Sequence, residues 1–507
     1  GDIDVLAQQI AITEARETTE RTRETRFKQT GFTLTITNPV ISAIQTSQQM
    51  HDASKKTEDG RMQALAAATT ALAVNNAATA VAQDPGMAGG INISLSLGTK
   101  QQQSTTVQHS DAAAGSTIVA GNDVRLHATG AGSDSDITVQ GSDIRAGRDA
   151  SLVADGDINL LAARNTSQQD SDSKGSSASV GIGFSLGGSR NGFTLDLGVS
   201  GNRGEADGDT LTHTNSHVQA GNTASLISGG DTNLRGAVVS GQQVIADVGG
   251  DLNIESLQDT DTFKVDESSM GFGLSLCIPP FCAGVSSVSV DGASANFGGT
   301  NMDSDYASVT EQSGIKAGDG GFDVRVGGNT DLVGAVIASS DKAVQDGNNR
   351  LVTASLTSSD IRNKAEYDAS TFNIGGGWKA AGKDQEGQVQ TGGKVSPGTE
   401  LPTNEDELGA SLPIAISASD SASSVTRSGI SGGSILITDE AAQRERTGKG
   451  AEQTVAELNR DVSSDRDSSE ALKPIFDEEQ IRAGFEIVNA FANEAGTLLA
   501  NKAKEVD

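Results

Sequence analysis

The residues with the spacing of a catalytic device are Gly183-Phe184-Ser185-Leu186-Gly187, which matches a hydrolase nucleophile elbow. That chemistry needs the serine on a sharp strand-to-helix turn, with a histidine and an acid beside it. Here Ser185 sits in the middle of an alternating run and no helical pattern follows, so the match is read as coincidence. Gly377-Trp378-Lys379-Ala380-Ala381-Gly382-Lys383 follows the phosphate-loop pattern until Asp384 replaces the hydroxyl that should meet magnesium. A carboxylate there repels phosphate, so no nucleotide is expected. His213 and His217 are four apart, but the stretch reads as strand or loop, and five histidines and two cysteines cannot assemble a zinc set. Cys277-Ile278-Pro279-Pro280-Phe281-Cys282 could close a structural disulfide across a hairpin tip. Two unpaired thiols are the alternative, because disulfide geometry is demanding. No acid, base and nucleophile come together, so no catalytic residue, metal or cofactor is expected.

Composition points the same way. Thirty-seven basic against 67 acidic residues give a net charge of −30, which disfavours nucleic acid and anionic glycans as partners. The apolar share is 35% and the aromatic share 3%, suiting a thin stacked core better than a large enzyme interior. No run of about 18 apolar residues occurs, so no membrane-spanning helix is expected. The chain opens on Gly1 inside a repeat, which reads as an internal piece of a longer polypeptide.

The element that would position any site is a recurring corner: Gly156-Asp157-Ile158-Asn159-Leu160, Gly230-Asp231-Thr232-Asn233-Leu234 and Gly250-Asp251-Leu252-Asn253-Ile254. Gly and Asp bend the backbone, and four to six residues between bends make one short strand. Two such strands per roughly 20 residues predict the coil of a parallel β-solenoid, which hides its apolar side only against the next coil. Turn formation accounts for Asp157, Asp231 and Asp251 without calcium. Asn159, Asn233 and Asn253 are expected to stack as a ladder inside the coil.

A longer period overlies the coils. Alternating strands begin at Ile91, Val180, Met270 and Phe372, and a fifth precedes them at Gly31-Phe32-Thr33-Leu34. With return strands such as Phe193 to Val199, they read as hairpins inserted between blocks of coils. Val180, Ile182, Phe184 and Leu186 face one way, joined by Phe193, Leu195 and Leu197. Strands of about eight residues approach the 9–11 that cross an outer membrane. The hairpins therefore either lie on the solenoid flank or insert in lipid.

The organisation expected is a preceding solenoid unit over 1–39, an Ala-rich helical insertion over 40–86 and the main solenoid with hairpins over 87–378. A flexible Gly/Ser/acidic region over 379–428, a last coil over 429–450 and a helical tail over 451–507 follow. Asp477 is expected to cap a tail helix with Ile481, Phe485, Val488 and Phe491 on one stripe.

The Ala-Gly-Asn strand followed by Gly-Asp-x-Asn-Leu resembles the haemagglutinin repeat of filamentous haemagglutinin-type exoproteins. The inserted hairpins and the tail around Phe476-Asp477-Glu478-Glu479-Gln480-Ile481 are similar to the second haemagglutinin-repeat region of contact-dependent growth inhibition effectors. The resemblance implies an all-β, right-handed parallel β-helix, exported through the transporter of a two-partner secretion system and displayed at the cell surface. It also implies a downstream toxin domain in the parent chain and a target-cell surface or outer membrane as partner. A purely adhesive filament is the alternative.

Overall fold

A computed structural model describes residues 1–83, 91–186, 192–282, 287–379, 382–383, 389–390, 407–410 and 413–506. Its spine is a parallel β-solenoid whose coils have three sides rather than the two expected from the corner spacing. One coil runs Ser216–Ala220, Thr223–Ser228 and Thr232–Arg235. Each strand pairs in parallel with its equivalent one coil earlier and one coil later, as Thr232–Arg235 does with Ile158–Leu161 and Leu252–Glu255. The third side escaped the sequence reading because no polar bend separates it: a single glycine, Gly236, makes the corner. The second side stacks eight deep, from Ile3–Ala7 to Ser434–Ile437.

Alternation turns every second side chain inward. Leu152, Ile158, Leu160, Leu226, Leu234, Leu252 and Ile254 are all fully buried in one continuous core. Each such burial contributes about 1.5–3 kcal/mol. Asn159, Asn233 and Asn253 point the other way. Their ladder forms on the outer surface, with the Asn233 amide donating to Asn159 at 2.9 Å and that of Asn253 to Asn233 at 2.9 Å. Their neighbours Ile158 and Leu160 take the interior, so an asparagine between them must face out.

The second layer is a nine-stranded antiparallel sheet built from four long hairpins. Their arms are Ala15–Thr37 with Ile91–Ala114, Ala163–Leu186 with Gly192–Thr214, Gln258–Cys282 with Ser289–Val309, and Ile361–Lys379 with Ile414–Thr426 and Glu407–Ala410. The arms are far longer than the eight-residue strands expected. Polar stretches belong to the strands as well: Gly201–Leu211 is paired on both edges. Cross-strand partners satisfy these backbones where the side chains give no alternating signal. The expected flexible region is corrected in the same way, because Ile414–Thr426 forms a full ladder with Ile361–Asn373.

Every hairpin leaves the solenoid at one corner, between the third side of a coil and the first side of the next. Hairpins occupy this corner in alternate coils. In the coils between, the corner is closed by Gly141, Gly236 or Gly334, with φ of +54°, +63° and +56°. The alternation has a metric cause. Rungs and sheet strands are both spaced about 4.8 Å, so a two-stranded hairpin fills the height of two coils. One hairpin per two coils therefore gives one sheet strand per rung, and the four hairpins fuse into one sheet. This is the source of the period of about 90 residues.

Helices complete the molecule: α1 (Pro39–Lys55) and α2 (Gly60–Gln83) within the first hairpin, the short α3 (Asp341–Asp346), α4 (Glu440–Thr447), α5 (Ala451–Glu457) and α6 (Glu478–Val506). Over Gly60–Ala82, α2 is long and apolar enough to cross a membrane by length and composition, against the expectation from the sequence. Its alanines supply that character between threonines and asparagines, without a continuous apolar run. Asp477 caps α6 by accepting from the Gln480 amide at 3.0 Å. The tail is not helical throughout. Residues 458–477 run extended along the end of the solenoid, where Ser464 N–H donates to the Ser339 carbonyl and Ile430 N–H to the Asn459 carbonyl. α4 covers the same end, and the buried Gln443 side chain bonds both the N–H and the carbonyl of Leu356 as a neighbouring strand would.

Candidate interaction surface

The catalytic patterns dissolve in this frame. Ser185 belongs to a hairpin arm, and its side chain and that of Leu186 lie outside the described residues. Gly377 and Trp378 belong to the strand Ile361–Lys379, with Ala380, Ala381 and Asp384 outside the described residues. His213 binds Asp259 at 3.1 Å, while His217 is held between Asp143 at 2.9 Å and Glu311 at 3.0 Å. The bond to Glu311 raises the His217 pKa, and the same bond lowers that of Glu311. The first bond joins two hairpin arms, and the bond from His217 to Glu311 ties a hairpin root to the solenoid. Among the described residues no group of three or more His, Cys, Asp or Glu is arranged to hold a metal. Cys277 is in a disulfide; the chain's other cysteine is Cys282, whose side chain lies outside the described residues.

Asp157, Asp231 and Asp251 each spend a carboxylate oxygen on the backbone N–H of the next corner, at 2.7, 2.8 and 2.7 Å. The residue at Gly156, Gly230 or Gly250 has no room for a side chain: at Gly250 a Cβ would lie 2.1 Å from the Asp231 carboxylate oxygen. The corners are therefore built as a stacked turn.

What the fold does assemble is a surface at the outer ends of the hairpins. Residues facing each other across an antiparallel pair share a face. Phe32 is in register with Leu97, then Val180, Leu197, Leu274, Ala293 and Trp378. One row outward stand Leu34, Leu95, Ile182, Leu195 and Leu276; beyond them lie Ile36, Ile93, Phe184 and Phe193. Phe184 and Phe193 stack with centroids 4.5 Å apart. The field is open to solvent, with Phe32 74%, Ile182 54%, Phe272 48% and Ile374 51% exposed. The sequence singled out an alternating strand in every hairpin and the apolar face of the second; that the four faces join into one field needed the register. The opposite face at the same height carries small and polar residues, among them Ser96, Gly181, Gly183, Asp196, Gly273, Ser294 and Gly375.

The root-side border of the apolar field runs obliquely. It lies at Phe32 in the first arm, Val199 in the fourth, Met270 and Phe297 in the fifth and sixth, and Phe372 in the seventh. Phe372 stands six residues nearer the root than Trp378, the register partner of Phe32's row. Six residues are about 20 Å along a strand and six strand spacings about 29 Å across, so the border makes an angle of roughly 35° with the perpendicular to the strands.

Below the field the same face is charged and predominantly acidic, with Asp172, Glu205, Asp207, Asp266, Asp303 and Asp368 set among Lys174, Arg203 and Lys264 on neighbouring strands. The opposite face is covered by helices. Val265, Met302 and Ala369 of the sheet pack on Ile481 and Phe485 of α6. Ala483 and Ile487, on the other side of α6, pack on Met50, Ala53 and Ala66 of α1 and α2. Of the tail stripe expected, Ile481 and Phe485 face the sheet, and Ile487 is the fully buried residue the pattern missed. α6 turns along two packed surfaces at once, which a single-stripe reading cannot show. Arg482 reaches the sheet through a bidentate pair with Glu267, both bonds 2.8 Å.

Comparison with known proteins places this architecture. Residues 97–272 match the Hemagglutinin repeat family model. The chain is 35% identical to the Toxin CdiA of Escherichia coli over 494 residues, covering 94% of this chain and 14% of that protein. It is 31% identical to the Deoxyribonuclease CdiA of Dickeya dadantii, covering 94% and 13%. It is 33% identical to the Deoxyribonuclease CdiA of Yersinia pseudotuberculosis, covering 94% and 41%. The chain thus spans between an eighth and two fifths of these relatives. No solved structure matches it.

Proposed function

We propose that this chain, similar to the Hemagglutinin repeat family over residues 97–272 and to CdiA proteins over 94% of its length, is a delivery segment of a contact-dependent growth inhibition exoprotein whose hairpin sheet enters the outer membrane of a target cell. The solenoid is the platform, the hairpins are the membrane-active part, and toxic chemistry belongs to a downstream domain of the parent chain. Export through a two-partner transporter and display at the cell surface complete this reading.

The single observation that carries it is the oblique apolar field. Strands of an outer-membrane barrel are tilted 35–45°, so a level belt of lipid crosses them at that angle. The border from Phe32 to Phe372 crosses these strands at roughly 35°. Along Phe193 to Val199 the field is about 20 Å tall, close to the ~25 Å belt of such barrels. Lipid-facing residues alternate with Gly, Ser and Asp, as lipid-facing and water-facing residues alternate in barrel strands. The acidic rows nearer the root suit water, and they set the depth at which insertion stops.

The test is vesicle association and dye release by the purified chain, compared with a Val180→Ser/Ile182→Ser/Phe272→Ser variant. These side chains are exposed, so the substitutions leave the folded protein near its original stability in solution. The reading expects release from vesicles by the parent chain and its loss in the variant. Absence of association across neutral and anionic vesicles would remove insertion and leave the adhesive reading.

A further inference from the structure

We propose that α6 is a releasable strap: it binds α1 and α2 onto the water-facing side of the hairpin sheet, holds the sheet open, and must leave that side before the sheet can close in lipid. This rests on the membrane reading for its purpose, though not for its physical basis.

The strap's position comes first. α6 is the middle layer, touching the sheet with Ile481 and Phe485 and the other two helices with Ala483 and Ile487. Lifting α6 therefore uncovers the sheet and frees α1 and α2 together. In a bilayer a sheet edge cannot remain unpaired, so a strand set that inserts must close on itself or on further strands. The interior of a barrel of about eight strands is only wide enough for its own side chains. A single helix is about 10 Å across. Three helices cannot stay on the face that becomes that interior.

The attachment turns polar toward the C-terminal half of the helix. Its buried apolar anchors are Ile481, Ala483, Phe485 and Ile487, with the partly buried Ala490 after them and Phe476 before them, its ring 5.4 Å from Phe263 and 6.0 Å from Tyr367. Farther along, the buried residues of α6 among those described are Glu494, Thr497 and Asn501. Glu494 is 8% exposed and forms no ion pair among the described residues; its partners are Asn76 at 2.9 Å and Thr46 at 3.4 Å. The side-chain oxygens of Asn76 and Asn489 are buried without a hydrogen-bond partner among the described residues. Native interiors leave few such groups, and each destabilises the interface that buries it. Between α1, α6 and the sheet lies a solvent-open cleft of about 510 Å³ lined by Gln45, Thr46, Gln49, Thr300, Thr371 and Asn489. Along this cleft α6 is held by polar side chains and not by close packing. A weakly held element of this kind opens locally, well below the free energy of global unfolding.

The test is hydrogen exchange on the full chain, read peptide by peptide. In solution, amides of 488–500 should exchange at least roughly ten-fold faster than those of Ile158–Leu161 and Thr232–Arg235. Arg482→Ala removes the bidentate pair with Glu267 and should speed α6 a further several-fold, leaving the solenoid peptides unchanged. Asn489→Leu, which removes an unpartnered buried carbonyl beside the cleft, should slow it. On phosphatidylethanolamine–phosphatidylglycerol vesicles, α6 should lose protection in the parent chain while the solenoid keeps its own. If α6 opens only together with the solenoid, or stays protected in vesicle-bound protein, the strap is refuted. If the chain does not bind vesicles, the membrane reading fails and the solution measurements alone decide the strap.

Discussion

Replacing Gly236 by alanine probes the corner that lets one coil pass to the next without a hairpin. Gly236 has φ +63°, which costs an L-residue about 1–2 kcal/mol. Its Cβ would also stand 2.5 Å from Ala162 Cβ, 2.9 Å from Asn215 Oδ1 and 2.9 Å from Leu257 Cδ1. Carbon atoms settle near 3.5–4.0 Å, so Ala162 would have to retreat by about 1 Å within a close-packed wall. Such overpacking costs about 1–3 kcal/mol, for a total of about 2–5 kcal/mol. Gly132 supplies the control. Its φ is also +63°, and nothing lies within 4 Å of the Cβ it lacks. Gly132→Ala should therefore lose only the conformational part, about 1–2 kcal/mol. Urea titrations followed by far-ultraviolet circular dichroism would compare the two midpoints against the parent. Equal midpoints for the two variants would refute the claim that Ala162, Asn215 and Leu257 leave no room for a side chain at this corner.

Three further outcomes follow from the contacts. Asp231→Ala strands the Asp251 amide, now bonded at 2.8 Å, and should destabilise by about 1–2 kcal/mol, whereas Asp231→Asn keeps the acceptor and should stay within about 0.5 kcal/mol of the parent. Because these carboxylates serve backbone amides, adding a chelator should leave the melting temperature of the parent unchanged; a drop would show that the corners hold a cation. His217 has its pKa raised and Glu311 has its pKa lowered by their mutual bond. The histidine's contribution is full below its unfolded value of about 6.5 and is lost as pH rises through the raised folded value. The carboxylate's is present above its unfolded value of about 4.3 and is lost as pH falls through the lowered folded value. His217→Gln should therefore be less stable than the parent by up to about 1 kcal/mol, allowing for solvent screening, near pH 6, and the gap should narrow toward pH 9. A gap that widens with pH would contradict the assigned pairing.

The sequence carried the solenoid plainly because its corners are chemical. Gly156-Asp157 and its repeats cannot be other than bends, and Ile158 and Leu160 cannot face water together. It carried the outer ends of the hairpins for the same reason, since Val180, Ile182 and Phe184 alternate with glycine and serine. Three things were not legible. The third side of each coil is hidden by a corner of one glycine. The hairpin roots, such as Ser167–Ser177, have no periodicity, and pairing on both edges makes them strands. The apolar field is a property of seven arms in register, so no single segment announces it. The tail helix was legible through Asp477 and Ile481, but its double-sided burial depends on α1 and α2, some 400 residues away in the chain.

One sheet strand per solenoid rung is the relation from which the fused sheet, its apolar field and the strap all follow. It is tested by spin-label distances in a variant lacking both cysteines. Gln101 and Ile374 stand five sheet strands apart in one register row, and Arg125 and Arg350 stand five rungs apart on the second side. Both pairs should report backbone separations of about 24 Å and agree with each other. A hairpin pair much longer than the solenoid pair, or distributed broadly while the solenoid pair is sharp, would show hairpins that splay independently and would contradict the account.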